Sequence, residues 1–281
     1  MGWTTVVNRP VLLQLAAVVF MMTWAWFSAI PLSEEAIPED IDVQSMVIPV
    51  GTEKYLRVMT FNIRHARGLD GRVNLNRIVA DILHGEPDIV ALQEVDRFHI
   101  RSKFVDQVKY LKKALNMDAF FSPSIQYYGI AEYGNAILSK YPLVDQKVEP
   151  LPGIKENRAL LSAKVQIGDY ELTLFTTHLG VLEDERRMQM PIILDKLHAV
   201  DGPAIFLGDL NMDGTHDLLQ SLNEPWRKAE LIHDSGTFYL GAEIDHIFTG
   251  PFVSAINAWT IKTTSSDHMP VVAELKIAMD N

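Results

Sequence analysis

Four polar positions stand immediately behind apolar runs: Asn62 behind residues 58–61, Glu94 behind 89–93, His178 behind 174–177, and Asp209 with Asn211 behind 204–208. Two further segments, Asp245-His246 and Asp267-His268, set a carboxylate beside an imidazole. Carboxylate oxygens suit a hard ion such as Mg²⁺, and amide and imidazole groups suit phosphoryl oxygens. The chain has no cysteine, so no thiolate competes for that role. A lone acid at a strand end is ordinarily a solvated loop residue. Several such positions, each closing an apolar strand, bring their side chains to one rim of a sheet.

That rim requires the apolar runs to be strands. Residues 56–61 alternate as a strand does, and Asp70-Gly71 marks a turn in the loop that follows. Asn74 is placed to cap a helix whose apolar face is Leu75, Ile78, Val79, Ile82 and Leu83, and Gly85 with Pro87 ends it. Residues 88–92 read as a buried strand. The pattern then predicts helices over 104–115 and 183–198, and strands over 136–139, 160–165, 172–176, 204–207, 246–248, 258–261 and 271–275. Helices mixed with many strands, several of them adjacent in sequence, favour an α/β sandwich over a doubly wound parallel sheet.

Composition narrows the partners. The 281 residues are 48% hydrophobic and 22% charged, enough for one large domain with a core and a short appendage. The formal net charge is −11, and after residue 50 there remain 24 basic against 31 acidic residues. A domain of that sign lacks general electrostatic affinity for duplex DNA. No charged residue occurs in 10–33, and the apolar run 11–30 is about as long as the roughly 20 residues a spanning helix needs. The expected organisation is a short cytoplasmic N-terminus (1–10), a transmembrane signal-anchor, or else a signal peptide (11–32), an acidic linker (33–50) and a catalytic domain (51–281). Arg9 ahead of the apolar run and acids behind it place the domain outside the cytoplasm.

The ordered set Thr60-Phe61-Asn62, Gln93-Glu94, Thr177-His178-Leu179, Gly208-Asp209-Leu210-Asn211, Asp245-His246-Ile247-Phe248 and Ser266-Asp267-His268 resembles the endonuclease/exonuclease/phosphatase superfamily. Its members include DNase I, exonuclease III, neutral sphingomyelinases and inositol-polyphosphate 5-phosphatases. The resemblance covers about residues 56–275. It implies a DNase I-like, four-layered α/β sandwich with two mostly antiparallel sheets, here preceded by the N-terminal transmembrane helix. It also implies a phosphoester hydrolase that uses Mg²⁺, or Mn²⁺, and attack of water in line on phosphorus.

By the same resemblance Glu94, with Asn62 and Asp267, holds the metal. Asp209 orients or deprotonates the water, and Asn211 bonds a phosphoryl oxygen or holds Asp209. His178 and His268 contact the phosphate, with Asp245 fixing the tautomer of His268. Asn135, in Tyr133-Gly134-Asn135, and Arg158 are candidates for substrate contact, Arg158 having pairing with Glu156 as its alternative. The loop residues His65, Arg67 and Asp70 are placed near the pocket, and His246 is read as structural. A lipid headgroup or other small extracytoplasmic phosphoester is the favoured substrate, and no obligate protein partner is implied. A nuclease is the alternative, its DNA contacts sought in the basic stretch 97–113. A membrane-displayed binding protein that has lost catalysis is a third reading, disfavoured because the whole polar set is retained.

Overall fold

A computed structural model describes residues 53–222, 224–233 and 236–278, so the expected membrane segment and acidic linker lie outside the described residues. The chain divides into two compact units after Pro49, and every described residue belongs to the second. Among the described residues no helix is long and apolar enough to cross a membrane.

Among the described residues twelve strands form two six-stranded sheets. The first contains β1 (Lys54–Asn62), β2 (Ile89–Arg97), β3 (Asp118–Tyr127), β4 (Ala131–Ser139), β11 (Val253–Thr260) and β12 (Val271–Ile277), in the order β11-β12-β1-β2-β4-β3. The second contains β5 (Leu143–Leu151), β6 (Arg158–Ile167), β7 (Tyr170–His178), β8 (Ala204–Asp209), β9 (Arg227–Lys228) and β10 (Asp245–Thr249), in the order β5-β6-β7-β8-β10-β9. Each sheet holds one parallel pair, β1 with β2 and β7 with β8; every other pairing is antiparallel. Parallel neighbours need a crossover, supplied by α1 (Leu75–Gly85) in the first sheet and α3 (Glu183–His198) in the second. Among the described residues the other α-helices are α2 (Gln107–Leu115) and α4 (Asp217–Gln220).

Alternation along the strands produces the layers. Val58, Ala91, Ile137 and Ala273 of the first sheet meet Leu161, Leu174, Leu207 and Ile247 of the second in a buried inter-sheet core. The opposite face of the first sheet, with Met59, Phe61 and Leu92, packs on Ile78 and Ile82 of α1 and Leu111 of α2. Phe175 and Phe206 of the second sheet pack on Met190, Ile193 and Leu197 of α3. Each such fully buried side chain contributes roughly 1.5–3 kcal/mol. The four-layered sandwich expected from the sequence is therefore the observed architecture.

Local details refine the expectations. Asn74 caps α1 through a bond from the Asn76 N–H, but Leu83 leaves the apolar face and is 58% exposed. The second helix starts at Gln107, not near Phe104, because the Asp106 side chain accepts from the Lys109 N–H and fixes the start there. Strands β3 and β5 were not expected. Both are edge strands; β3 carries Pro123, and most of the inner residues of β5 are solvated, so neither shows clean alternation.

Candidate active site

The two parallel pairs end at the same rim and deliver the polar side chains there. In the first sheet Asn62 is the last residue of β1, paired in register with Gln93. The ladder between β2 and β4 slips between Leu92 and Val95, so Gln93 and Glu94 together face Asn135 across a β-bulge. Glu94 takes a left-handed backbone, φ 57°. The bulge lets both residues work: Gln93 Nε2 donates across the inter-sheet space to Thr176 Oγ1 (3.4 Å), while Glu94 Oε1 accepts from Asn62 Nδ2 (3.2 Å). Left-handed geometry at a non-glycine residue is costly and clusters at functional sites.

In the second sheet His178 and Asp209 are register partners at the ends of β7 and β8. Gly208 precedes Asp209 because nothing larger fits: a Cβ there would lie 2.1 Å from the Thr177 carbonyl oxygen. Asn211, φ 50°, closes an Asx turn in which its N–H donates to Asp209 Oδ1 (3.1 Å) and its Nδ2 donates to the Leu179 carbonyl (3.0 Å). Of the two roles open to it from the sequence, holding Asp209 is the one these bonds perform.

Asp209 is the hub of a buried network. Its Oδ2 accepts from Asn62 Nδ2 (2.9 Å) and lies 3.3 Å from His178 Nε2 and 3.7 Å from His268 Nε2. Burial first, then the nearby Asp245 charge, push its carboxyl up to about 7, against the pull of His268 and Asn62. His268 Nδ1 lies 2.9 Å from Asp245 Oδ2. Burial opposes the charge on His268, yet the Asp245 and Asp209 carboxylates prevail and raise it to about 10. Its imidazolium is thus flanked by two acids.

His178 is the opposite case. Arg158 Nη1 sits 3.0 Å from its Nδ1, and a guanidinium only donates, so Nδ1 must carry the lone pair and Nε2 the proton directed at Asp209. Burial, then the Arg158 charge, hold this imidazole neutral. Arg158 also meets Glu156 at 2.6 Å, the pairing that the sequence left open as its alternative. The loop leading into Arg158 is held by α3: Glu185 Oε1 accepts from the Ile154 and Lys155 N–H groups, and Gln189 Nε2 donates to the Pro152 carbonyl.

Thr237, which no sequence signal marks, and Ser266 of the Ser266-Asp267-His268 segment complete the frame. Thr237 Oγ1 donates to Asp245 Oδ2 (2.7 Å) and accepts from the Ile244 and Asp245 N–H groups, both at 3.0 Å. Ser266 Oγ donates to the Asn62 carbonyl (2.7 Å) and accepts from the His268 N–H (3.2 Å), tying the end of β1 to the His268 loop. Phe238 covers His268 with ring centroids 4.9 Å apart. No local pattern marks Thr237, whose role arises only when its loop meets β10. His246 is buried with Nε2 on the Met212 carbonyl, and Asp70 pairs with Arg77 on the surface. His65 is buried, bonded only through its backbone carbonyl to Gln107.

Oxygen donors for a cation lie at the same rim. Glu94 is raised by burial, its charge relieved chiefly by the Asn62 amide, and no described ion pair reaches it. Such a carboxylate fits a hard cation as its missing partner. Asp267, by contrast, already meets Arg64 at 3.1 Å. Asp209, Asp245 and His268 form a further group close enough to hold an ion. Around the opening, Asn135 Nδ2 and Arg158 Nε are buried donors with no partner, and a bound anionic oxygen would satisfy them.

A two-sheet α/β sandwich with carboxylates, amides and imidazoles gathered at one rim defines a phosphoester-hydrolase class of fold and site. The chain belongs to the Endonuclease/Exonuclease/phosphatase family, whose profile matches residues 59–268. Solved structures similar to it include an endonuclease/exonuclease/phosphatase from Beutenbergia cavernae (24% identity, TM-score 0.69, covering 80% of this chain and 72% of that one). The human Nocturnin catalytic domain with bound sulfate is similar at 20% identity and TM-score 0.65, covering 80% and 97%. The Bacteroides thetaiotaomicron mannosyl-6-phosphatase Bt3783 is similar at 21% and 0.63, covering 78% and 99%. No curated protein matches significantly.

Proposed function

We propose that the chain is a divalent-metal-dependent phosphoester hydrolase that acts on a lipid headgroup or other small extracytoplasmic phosphoester while tethered to a membrane by residues 11–32. The observation that carries the reaction class is the meeting of an uncompensated carboxylate, Glu94, with unpartnered buried donors on Asn135 and Arg158. Anionic carboxylate calls for a cation, and empty donors call for an anion.

Glu94, with Asn62 and Asp267, would hold Mg²⁺ or Mn²⁺, which when bound would supply positive charge to offset that of the phosphoryl group and leaving oxygen. Asp209, raised to about 7, is suited to take a proton from the attacking water near neutral pH. The His268 imidazolium, oriented by Asp245 and Thr237, stabilises the phosphoryl oxygens. His178 stays neutral and directs its Nε2 proton toward Asp209, and Arg158 adds positive charge behind it. Asn211 keeps Asp209 in place.

Two observations bear on the substrate. The charge-free run 11–30 favours a membrane location. Half of the basic stretch that a nuclease would need is consumed by ion pairs: Arg97 pairs with Asp106 and Glu132, Arg101 with Asp96, and Lys112 with Asp118. A structural relative, TDP2 of D. rerio, was solved with a single-strand DNA product, so DNA belongs in the test. The full chain in mixed micelles is assayed with Mg²⁺ on phospholipids, small phosphodiesters, phosphomonoesters and plasmid DNA, beside Glu94→Ala. Cleavage of lipid or small esters, lost in the variant, is expected. Cleavage of DNA alone would overturn the substrate reading.

A further inference from the structure

The loop behind β2 and the tip of the β3–β4 hairpin lie together beyond the catalytic rim. Arg97 pairs in register with Glu132, the backbone bridges Arg97 to Asp106, and His99 meets Tyr127 edge-on with ring centroids 5.2 Å apart. From this double tip Phe98, Ile100, Phe104, Tyr127, Tyr128 and Ile130 are exposed, Tyr128 at 99% and Ile100 at 71%. The loop is closed by its own backbone: the Phe98 N–H donates to the Val105 carbonyl, and the Phe104 N–H to the His99 carbonyl. Phe98, Lys103, Phe104 and Tyr128 all hold left-handed backbones. Rigid loops that spend strain to keep apolar side chains in water mark a surface with an absent partner.

We infer that this double tip is a membrane-docking element, seating the catalytic opening against the lipid surface on which the substrate lies; the inference rests on the proposed membrane tether. Position argues for lipid. Phe98, Ile100 and Phe104 lie on the loop after β2 and Tyr127, Tyr128 and Ile130 at the β3–β4 connection, so two neighbouring loop tips carry the exposed apolar side chains, as shallow insertion into an interface requires. Charge argues the same way. Arg97 and Arg101 pair with Asp96, Asp106 and Glu132, and Lys103, which has no ion-pair partner among the described residues, balances the third carboxylate. The tip is therefore neutral on an acidic protein and carries no net charge to repel it from an anionic surface.

Chain length supplies the third reason. The 22 residues between Ile30 and Glu53 can extend to roughly 70 Å, so a tether alone leaves the domain's orientation unspecified. A second contact at the rim would fix it. Across the opening, Tyr239 and Leu240 also project, beside the Phe238 that covers His268, so both flanks of the site present apolar tips.

Because the chain has no cysteine, single-cysteine variants of the full chain can each carry one spin label. Ile100→Cys, Phe104→Cys and Tyr128→Cys probe the tip, Asp201→Cys the opposite end of the sandwich, and Val19→Cys the tether. The labelled chains are reconstituted into phosphatidylcholine/phosphatidylglycerol vesicles. Collision rates with oxygen, which partitions into lipid, and with a water-soluble nickel chelate are then measured. The oxygen-to-nickel ratio at the three tip positions is expected to exceed that at Asp201 by ~5-fold or more. Tip ratios equal to that at Asp201 would overturn the inference, and so would labels shielded from both probes, the signature of a protein contact. Val19 reads the tether separately, and hydrolysis by each labelled chain reads the enzyme assignment, so the three can fail independently.

Discussion

The two sheets meet the catalytic rim with the same device and opposite finishes. Each ends a strand–helix–strand unit there, β1–α1–β2 in one and β7–α3–β8 in the other, although no internal repeat is legible in the sequence. The second sheet finishes on a connected network: Asp209 receives the Asn62 and Asn211 donors and faces both imidazoles. The first finishes on a strained bulge whose carboxylate, Glu94, has one amide for company. Preorganisation belongs to the half that handles protons and phosphoryl oxygens, and unmet charge to the half that awaits a cation.

Isosteric substitutions on each side sharpen this contrast. Asp209→Asn keeps the shape but removes the acceptor of a water proton, and kcat is expected to fall about 10³-fold; less than a tenfold loss would remove Asp209 from that role. Glu94→Gln is expected to lose activity on the order of 10²-fold, together with divalent-ion binding measured by calorimetry. In chelator the same variant should gain stability, as expected when a buried uncompensated charge is removed from an active site. The sign follows from burial, which raises the Glu94 pKa in the folded state. The ionised form then costs stability, a cost absent below the unfolded value of 4.5 and growing as pH rises through the folded value. Thermal melts in chelator at pH 8 should show Glu94→Gln higher by about 2 °C, with no difference near pH 4. A lower melting temperature at pH 8 would mean that Glu94 is already compensated.

Smaller effects fall on the supporting groups. Thr237→Val deletes the hydroxyl that Asp245 and two N–H groups share, at a cost of about 1–3 kcal/mol in stability and roughly tenfold in kcat. Unchanged kcat would show that Asp245 holds His268 without it. The pH profile should be bell-shaped, rising through about 7 as Asp209 loses its proton and falling near 10 as His268 loses its own. Thr237→Val should draw the alkaline limb toward neutrality, because an Asp245 carboxylate left mobile holds the imidazolium less well.

Legibility followed burial. Strands of the inter-sheet core, such as those holding Val58, Ala91 and Leu207, carry the apolar pattern in full because both of their faces are packed. Edge strands β3 and β5 have water on one side and carry no such signal. The polar residues at strand ends were legible because each follows an apolar run. Glu94 was legible in kind but not in conformation, since a bulge is a property of two strands. Thr237 and Ser266 owe their importance to contacts with residues 8 and 204 positions away, and no spacing rule reports such contacts. Asn62, read from the sequence as attending the metal, also joins the two halves, since its amide nitrogen bridges Glu94 and Asp209, a link between two sheets that no local pattern reports.

The central claim is that the rim hydrolyses a phosphoester by attack of water on phosphorus with a divalent ion present. Turnover of the best substrate by the full chain in ¹⁸O-water, with Mg²⁺ and then with chelator, tests it directly by mass spectrometry of both products. The prediction is one ¹⁸O in the phosphoryl product, none in the released alcohol, and no turnover in chelator. Label in the alcohol, or undiminished turnover without a divalent ion, would contradict it.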